Sequence, residues 1–162
     1  MKRILAGLTF SSLALAALMT APAFAADYVS YSVTTVANAT PKKTWSKIGG
    51  FCAIQDWFGL SCKITAGEGG VGTVRELNNG QITEMMVAKT PFSYTYIQPL
   101  KPDNLYHGTL QVVPDGPGKS RIIYTFLYDR APLGDKAAQN RQQRIKRFTA
   151  ALAKMKEMAE AP

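Results

Sequence analysis

Apolar positions recur along this chain with two different periods. Near its end, Ile145, Phe148, Leu152, Met155 and Ala159 stand three or four residues apart. That spacing puts them on one face of a helix, predicted over residues 136–160 with Asp135 as its N-cap. Upstream the apolar and polar positions alternate, as they do in half-buried strands. Strands are predicted over 28–36, 63–66, 73–78, 81–88, 92–98, 106–113 and 120–128, rich in β-branched and aromatic residues and separated by Gly, Pro, Asn or Asp. Two short helices interrupt the strands early. Thr40-Pro41 offers a side-chain cap and a proline at the first helical position, Trp45 and Ile48 give an apolar side, and Gly49-Gly50 ends the helix. Residues 54–58 form the second.

The order is strand, two short helices, six strands, long helix. Strands joined by tight turns make an antiparallel meander, and a sheet of seven strands curls as it twists. The apolar face of the last helix needs a cover, and the curled sheet can supply it. The predicted class is α+β: a curved sheet gripping one long helix.

Asn79-Gly80, the strongest hairpin signal here, sets a register. With those two residues at the turn, Leu77 opposes Ile82 and Arg75 opposes Glu84. Thr73, Arg75, Leu77, Ile82, Glu84 and Met86 then share one face; Val74, Glu76, Thr83 and Met85 share the other. Apolarity separates the faces too weakly to say which is inside. The tyrosines are the second signal, since all seven fall in or beside predicted strands. Tyr94 shares a face with Tyr96, and Tyr124 with Phe126 and Tyr128. Such rings suit either the wall of a mixed pocket or an aromatic core.

Charge and composition narrow the function classes. Residues 1–25 read as a signal peptide: Lys2 and Arg3, an apolar run over 4–19, then Ala23-Phe24-Ala25. The expectation is bacterial export to the periplasm or beyond, leaving one domain over 26–162 with no later membrane-spanning segment. Loss of Lys2 and Arg3 takes the formal charge from +8 to +6. In an exported chain a basic balance argues against nucleic acid and leaves acidic ligands, anionic envelope surfaces or plain solubility. Cys52 and Cys62 favour a disulfide in an oxidising compartment; the alternative, a catalytic thiolate, has no His nearby in sequence. His107 is the one histidine. It completes no triad or metal ligand set, and alternation turns it away from Tyr106. No cofactor motif is present.

The element order, together with Gly72-Thr73-Val74-Arg75-Glu76-Leu77, then Glu84, then Tyr106 opening a later strand, resembles the START/SRPBCC superfamily of helix-grip proteins. These include polyketide cyclase/dehydrase-like proteins, birch-pollen-allergen-like proteins and the abscisic-acid receptors. The resemblance covers nearly all of 26–162. It implies that Glu84, and with it Arg75, points into a ligand cavity between sheet and helix. It also matches Lys63 and Tyr106 to pocket positions, although Lys63 reads equally well as solvated.

A candidate site follows. Its wall comprises Arg75, Glu84, Met86, Tyr94, Tyr96, Tyr106, Tyr124, Phe126 and Tyr128, with Phe148 and Leu152 as a helical floor. Trp57 either closes one end or anchors the core. Arg141 and Arg144, early on the helix, either guard the mouth or pack by their stems with heads in water. Loops 89–91 and 100–104 are candidate gates. The expected function is binding of a small hydrophobic or aromatic molecule, with or without an anionic group. Alternatives are a cyclase or dehydratase using Glu84, Arg75 and the tyrosines as acid/base groups, and an accessory protein acting on the envelope through its basic surface. Oligomeric state is not legible.

Overall fold

The computed structural model describes residues 26–101 and 105–162. The signal segment over 1–25 and residues 102–104 of the second candidate gate lie outside the described residues. The strands are β1 (Tyr28–Ala37), β2 (Cys62–Ala66), β3 (Val74–Leu77), β4 (Ile82–Thr90), β5 (Ser93–Ile97), β6 (His107–Pro114) and β7 (Ser120–Asp129). The helices are α1 (Pro41–Ile48), α2 (Ile54–Phe58) and α3 (Ala137–Glu160). Every predicted element is found, with boundaries shifted by a residue or two.

β2 to β7 form the antiparallel meander, and β1 returns to pair with β7, giving the order β1-β7-β6-β5-β4-β3-β2. The β3–β4 register is the one the turn predicts: Arg75 opposes Glu84 and Leu77 opposes Ile82. Three residues close this hairpin in the left-handed region, Asn78, Asn79 and Gly80, at φ 52°, 58° and 85°. Asparagine tolerates that conformation better than other side chains, which is why an Asn-Asn-Gly run can make the turn. A bulge between Met86 and Ala88 shifts the β4–β5 pairing. Bulges bend the strand that carries them and so help the sheet curve.

Consecutive turns of a meander fall at alternate ends of the sheet. The 89–91 turn therefore lies at the opposite end from the β5–β6 connection that contains 100–104. The two candidate gates do not flank one mouth.

α3 packs on β1, α1, α2 and β7, and its buried residues are Phe148, Ala151, Leu152, Met155 and Ala159. Asp135 is not its cap. The chain enters already coiled, as a 3₁₀ segment over Ala131–Lys136 broken at Gly134 (φ 48°), and Lys136 precedes α3 without a side-chain cap bond. At the other end of the sheet face, Thr44 of α1 and Ser120 of β7 share a buried hydroxyl–hydroxyl bond of 2.8 Å. Among the described residues no helix is long and apolar enough to cross a membrane.

Cys52 and Cys62 are joined, with Cα atoms 5.5 Å apart. The bridge ties the α1–α2 loop to the start of β2, the free edge of the sheet. Closing a loop this short is expected to contribute about 2–3 kcal/mol through restriction of the unfolded chain. Replacing both cysteines by serine should lower the unfolding free energy by about that amount in urea titrations; an unchanged midpoint would show that the bridge adds nothing to stability.

Candidate functional site

Alternation along β3 and β4 turns Arg75 and Glu84 onto the concave face, where Arg75 is 0 % and Glu84 3 % exposed. Burying two charges is costly unless they meet each other and find further partners. Here they do. Arg75 donates from Nε and Nη2 to the same oxygen, Glu84 Oε2, at 2.8 and 2.6 Å. Its Nη1 donates to the carbonyl of Phe51, beside the disulfide. The other carboxylate oxygen, Glu84 Oε1, accepts from Gln98 Nε2 at 3.1 Å. Aromatic faces complete the shell: the guanidinium carbon lies 4.1 Å from the centroid of Phe51, 5.1 Å from Tyr96 and 5.8 Å from Tyr94. Burial pushes the Glu84 carboxyl up from its ordinary range, against the opposing charge of Arg75 and the hydrogen bonds from Arg75 and Gln98.

Beside this pair runs a string of phenols. Tyr96 shares a 2.7 Å hydrogen bond with Tyr124 and a longer one, 3.4 Å, with Tyr106. Gly108 makes room for it, since a Cβ there would stand 2.4 Å from the Tyr96 ring. The string continues as packed rings: Tyr124 and Phe126 lie 4.5 and 4.6 Å from Phe148 of α3, and Phe58 lies 4.9 Å from it on a third side. Trp57 sits against Tyr124 and Phe58 at about 6 Å and is buried, which makes it a core anchor. Met86 and Leu152 are buried in the same cluster.

The concave face thus gathers the predicted residues, but as packing. Arg75 and Glu84 pair beside Tyr94 and Tyr96, Tyr96 bonds to Tyr124, and Tyr124 and Phe126 pack on Phe148 of α3. Several hollows open at the surface: one of about 320 Å³ is lined by Trp57, Phe58, Leu60, Arg147, Ala150 and Ala151, one of about 240 Å³ runs past Lys63 and Glu76, and two lie at the end of the sheet where β6 begins and β7 stops. One, of about 330 Å³, is lined by Gln98, Lys101, Tyr106, Leu133, Asn140, Gln143, Arg144, Arg147 and Phe148. A second, of about 410 Å³, is lined by Val29, Tyr128, Arg130, Ala137, Ala138, Arg141, Gln142 and Ile145.

The predicted residues therefore divide. Tyr106, Arg144 and Phe148 face the first groove, and Tyr128 and Arg141 the second. Lys63 belongs to neither: it is exposed and opposes Glu76, on the face that Arg75 and Glu84 turn away from. His107 likewise faces outward, since the buried positions of β6 are Gly108, Leu110 and Val112. Sequence reasoning missed Gln98, although the alternation that picks out Tyr94 and Tyr96 continues to it. Tyr31 was left out too; its ring stacks near Phe126 and Tyr128 and lies under Arg141, at 4.9 Å. Phe51 contributes a loop carbonyl, for which the sequence carries no signal. Among the described residues no cluster of His, Cys, Asp and Glu could hold a metal ion.

Two measurements follow. Breaking a buried ion pair from one side strands the other charge, so Arg75→Met should lower stability by about 3–5 kcal/mol. Adding Glu84→Gln to it should recover part of the loss; a fully additive double variant would contradict the pairing. Burial raises the phenols of Tyr94, Tyr96, Tyr106 and Tyr124 above 10, the last-named ring and Tyr96 most strongly. The native state then holds protons that the unfolded chain releases, so the stability these phenols contribute is complete below about pH 10 and is lost as pH rises above it. Tyrosinate absorbance should accordingly rise together with alkaline unfolding. Ionisation of all seven phenols with the fold intact would contradict this burial.

Solved structures share this architecture. One from Nitrosospira multiformis aligns over 80% of this chain and 94% of its own, at 20% identity and a TM-score of 0.65. XoxI from Bacillus cereus aligns over 79% and 93%, at 23% identity and 0.64. Ara h 8.0201 aligns over 79% and 97%, at 18% identity and 0.56. At these identities the likeness is one of fold. No curated protein matches the chain. The model of the polyketide cyclase / dehydrase and lipid transport family matches residues 28–160, from the first strand to the end of the gripped helix, and the chain belongs to that family.

Proposed function

We propose that this chain is an exported binding protein, a single domain over 26–162 freed of its signal peptide, that takes up a small, largely apolar or aromatic molecule at the groove beside Tyr106 and Phe148. The family description, which includes lipid transport, supports a hydrophobic ligand. The disulfide agrees with an oxidising compartment. The observation that carries the reading is the groove itself. At about 330 Å³ it is the size of a small-molecule site, lined mostly by polar and cationic side chains, with Leu133 and the nearly buried Tyr106 and Phe148 of the interior aromatic cluster as its apolar part. A planar apolar ligand would extend the stack that Phe148 begins.

A second reading draws on a specific contact. Gln98 lines the groove and donates to Glu84, while the Tyr106 hydroxyl in the groove wall leads to Tyr96 and Tyr124. A bound molecule would thus meet two hydrogen-bonded paths into a buried carboxyl and a set of phenols, the equipment for acid/base work of the cyclase or dehydratase kind. Binding ranks first because the acid and base are both packed away from the groove.

Native mass spectrometry of protein purified from its export compartment tests the proposal. A bound small molecule is expected, and Asn140→Trp, which fills the groove, should abolish its capture. Protein that is ligand-free, and whose Tyr106 and Phe148 amide signals stay fixed under saturating neutral aromatic probe, would refute it. Turnover of the captured molecule, lost in Glu84→Gln with binding intact, would move the assignment to an enzyme.

A further inference from the structure

The groove has one feature that a neutral ligand would leave unused. Arg144 is held on an aromatic platform, with its guanidinium carbon 4.7 Å from the Tyr128 centroid, 4.9 Å from Tyr106 and 5.8 Å from Phe126. Tyr106, Tyr128 and Phe126 reach it from neighbouring positions at one end of β6 and β7, so the platform is built by the sheet. Among the described residues the head donates from Nη2 to Asn140 Oδ1 at 3.1 Å and lies against the Tyr106 phenol. Its Nε is buried with no partner. Among the described residues no carboxylate lies within ion-pair distance of it, although Arg75, Arg121 and Arg130 each have one.

The rest of the groove repeats the imbalance. Lys101 and Arg147 line it, and among the described residues none of its lining is acidic. Aromatic rings can hold a cation in place, but they do not neutralise it or fill its donors. A guanidinium pre-positioned in this way, with donors unfilled, is complementary to a planar oxyanion, which it can meet through two parallel N–H···O bonds. The apolar groups beside it, Phe148 and Leu133, require that the oxyanion be attached to an apolar body.

We infer that the ligand of this groove is an aromatic or apolar carboxylate, with Arg144 as the residue that reads the carboxylate and Lys101 and Arg147 as the field that draws it in. The inference rests on the groove being the binding site, and the test separates the two. A matched pair of probes, 2-naphthoate and the neutral 2-naphthamide, is titrated into the mature protein and followed by amide chemical shifts. Naphthoate is expected to bind at least about tenfold more tightly, the usual strength of a charge-assisted pair over a neutral one, with shifts centred on Tyr106, Arg144 and Phe148. The preference should weaken with salt. Equal binding of both probes in the groove would overturn the carboxylate and leave the site standing. Binding of neither would remove the site and the inference together.

Arg144→Lys assigns the residue. It keeps the charge but loses the fork, so the preference should fall severalfold while amide affinity is kept. A preference that survives in Arg144→Lys and vanishes in Arg147→Gln would overturn the assignment to Arg144. Should Arg144→Lys not fold, the localisation of wild-type shifts decides: naphthoate shifts centred on Lys101 and absent from Arg144 would overturn it.

Discussion

The buried pair of Arg75 and Glu84 is the constraint on which the interior depends. Two charges on the concave face of a sheet can remain there only if each is met, and meeting them fixes their surroundings. The Phe51 carbonyl must come to Arg75 Nη1, which positions the loop between α1 and α2; the disulfide beside it secures that loop to β2. The rings of Phe51, Tyr94 and Tyr96 must shield the guanidinium, and Gln98 must hold the second carboxylate oxygen. An apolar pair of similar volume could be as stable. The ionic pair instead demands one arrangement of the groups around it, and it runs hydrogen bonds from the interior to the rim.

Satisfying that demand changes where a ligand can go. The helix-grip order implies a chamber between sheet and helix. In this chain the chamber's residues are large, and three of its phenols hydrogen-bond to one another. Phe148 joins the stack from α3, so these rings pack on one another. Two of the grooves lie at the rim, by the first turns of α3. They stand on either side of a ladder in which Arg141 lies on Tyr31, Tyr31 on Tyr128, and Arg144 on both Tyr128 and Tyr106. The helix is thus a floor for the grooves in its first turns and a core element afterwards.

Much of this was legible in the sequence. Periodicity located the helix and strands, and the Asn79-Gly80 turn gave the register that pairs Arg75 with Glu84. Which face was inside came from the family resemblance, because Thr73, Leu77, Ile82 and Met86 are hardly more apolar than their opposites. The sequence leaves open whether the inward-facing tyrosines wall a pocket or form an aromatic core. Alternation says that Tyr94, Tyr96 and Tyr124 share a face; it cannot say whether their rings stand apart or meet. That depends on strand curvature and on Gly108, which admits the Tyr96 ring. For Lys63 the resemblance and the residue's own polarity point different ways, and on the edge strand β2 it is exposed, as its polarity alone implies. The loop groups, Phe51 and Lys101, carry no periodic signal at all.

The central claim is that binding occurs at the rim while the interior stays packed. Intermolecular nuclear Overhauser contacts between a bound aromatic probe and methyl- and ring-labelled protein test it most directly. The account predicts contacts to Leu133, Tyr106 and Phe148, with none to Met86, Leu77 or Leu110. Contacts to Met86 and Leu110 would place the ligand between sheet and helix, and would contradict it.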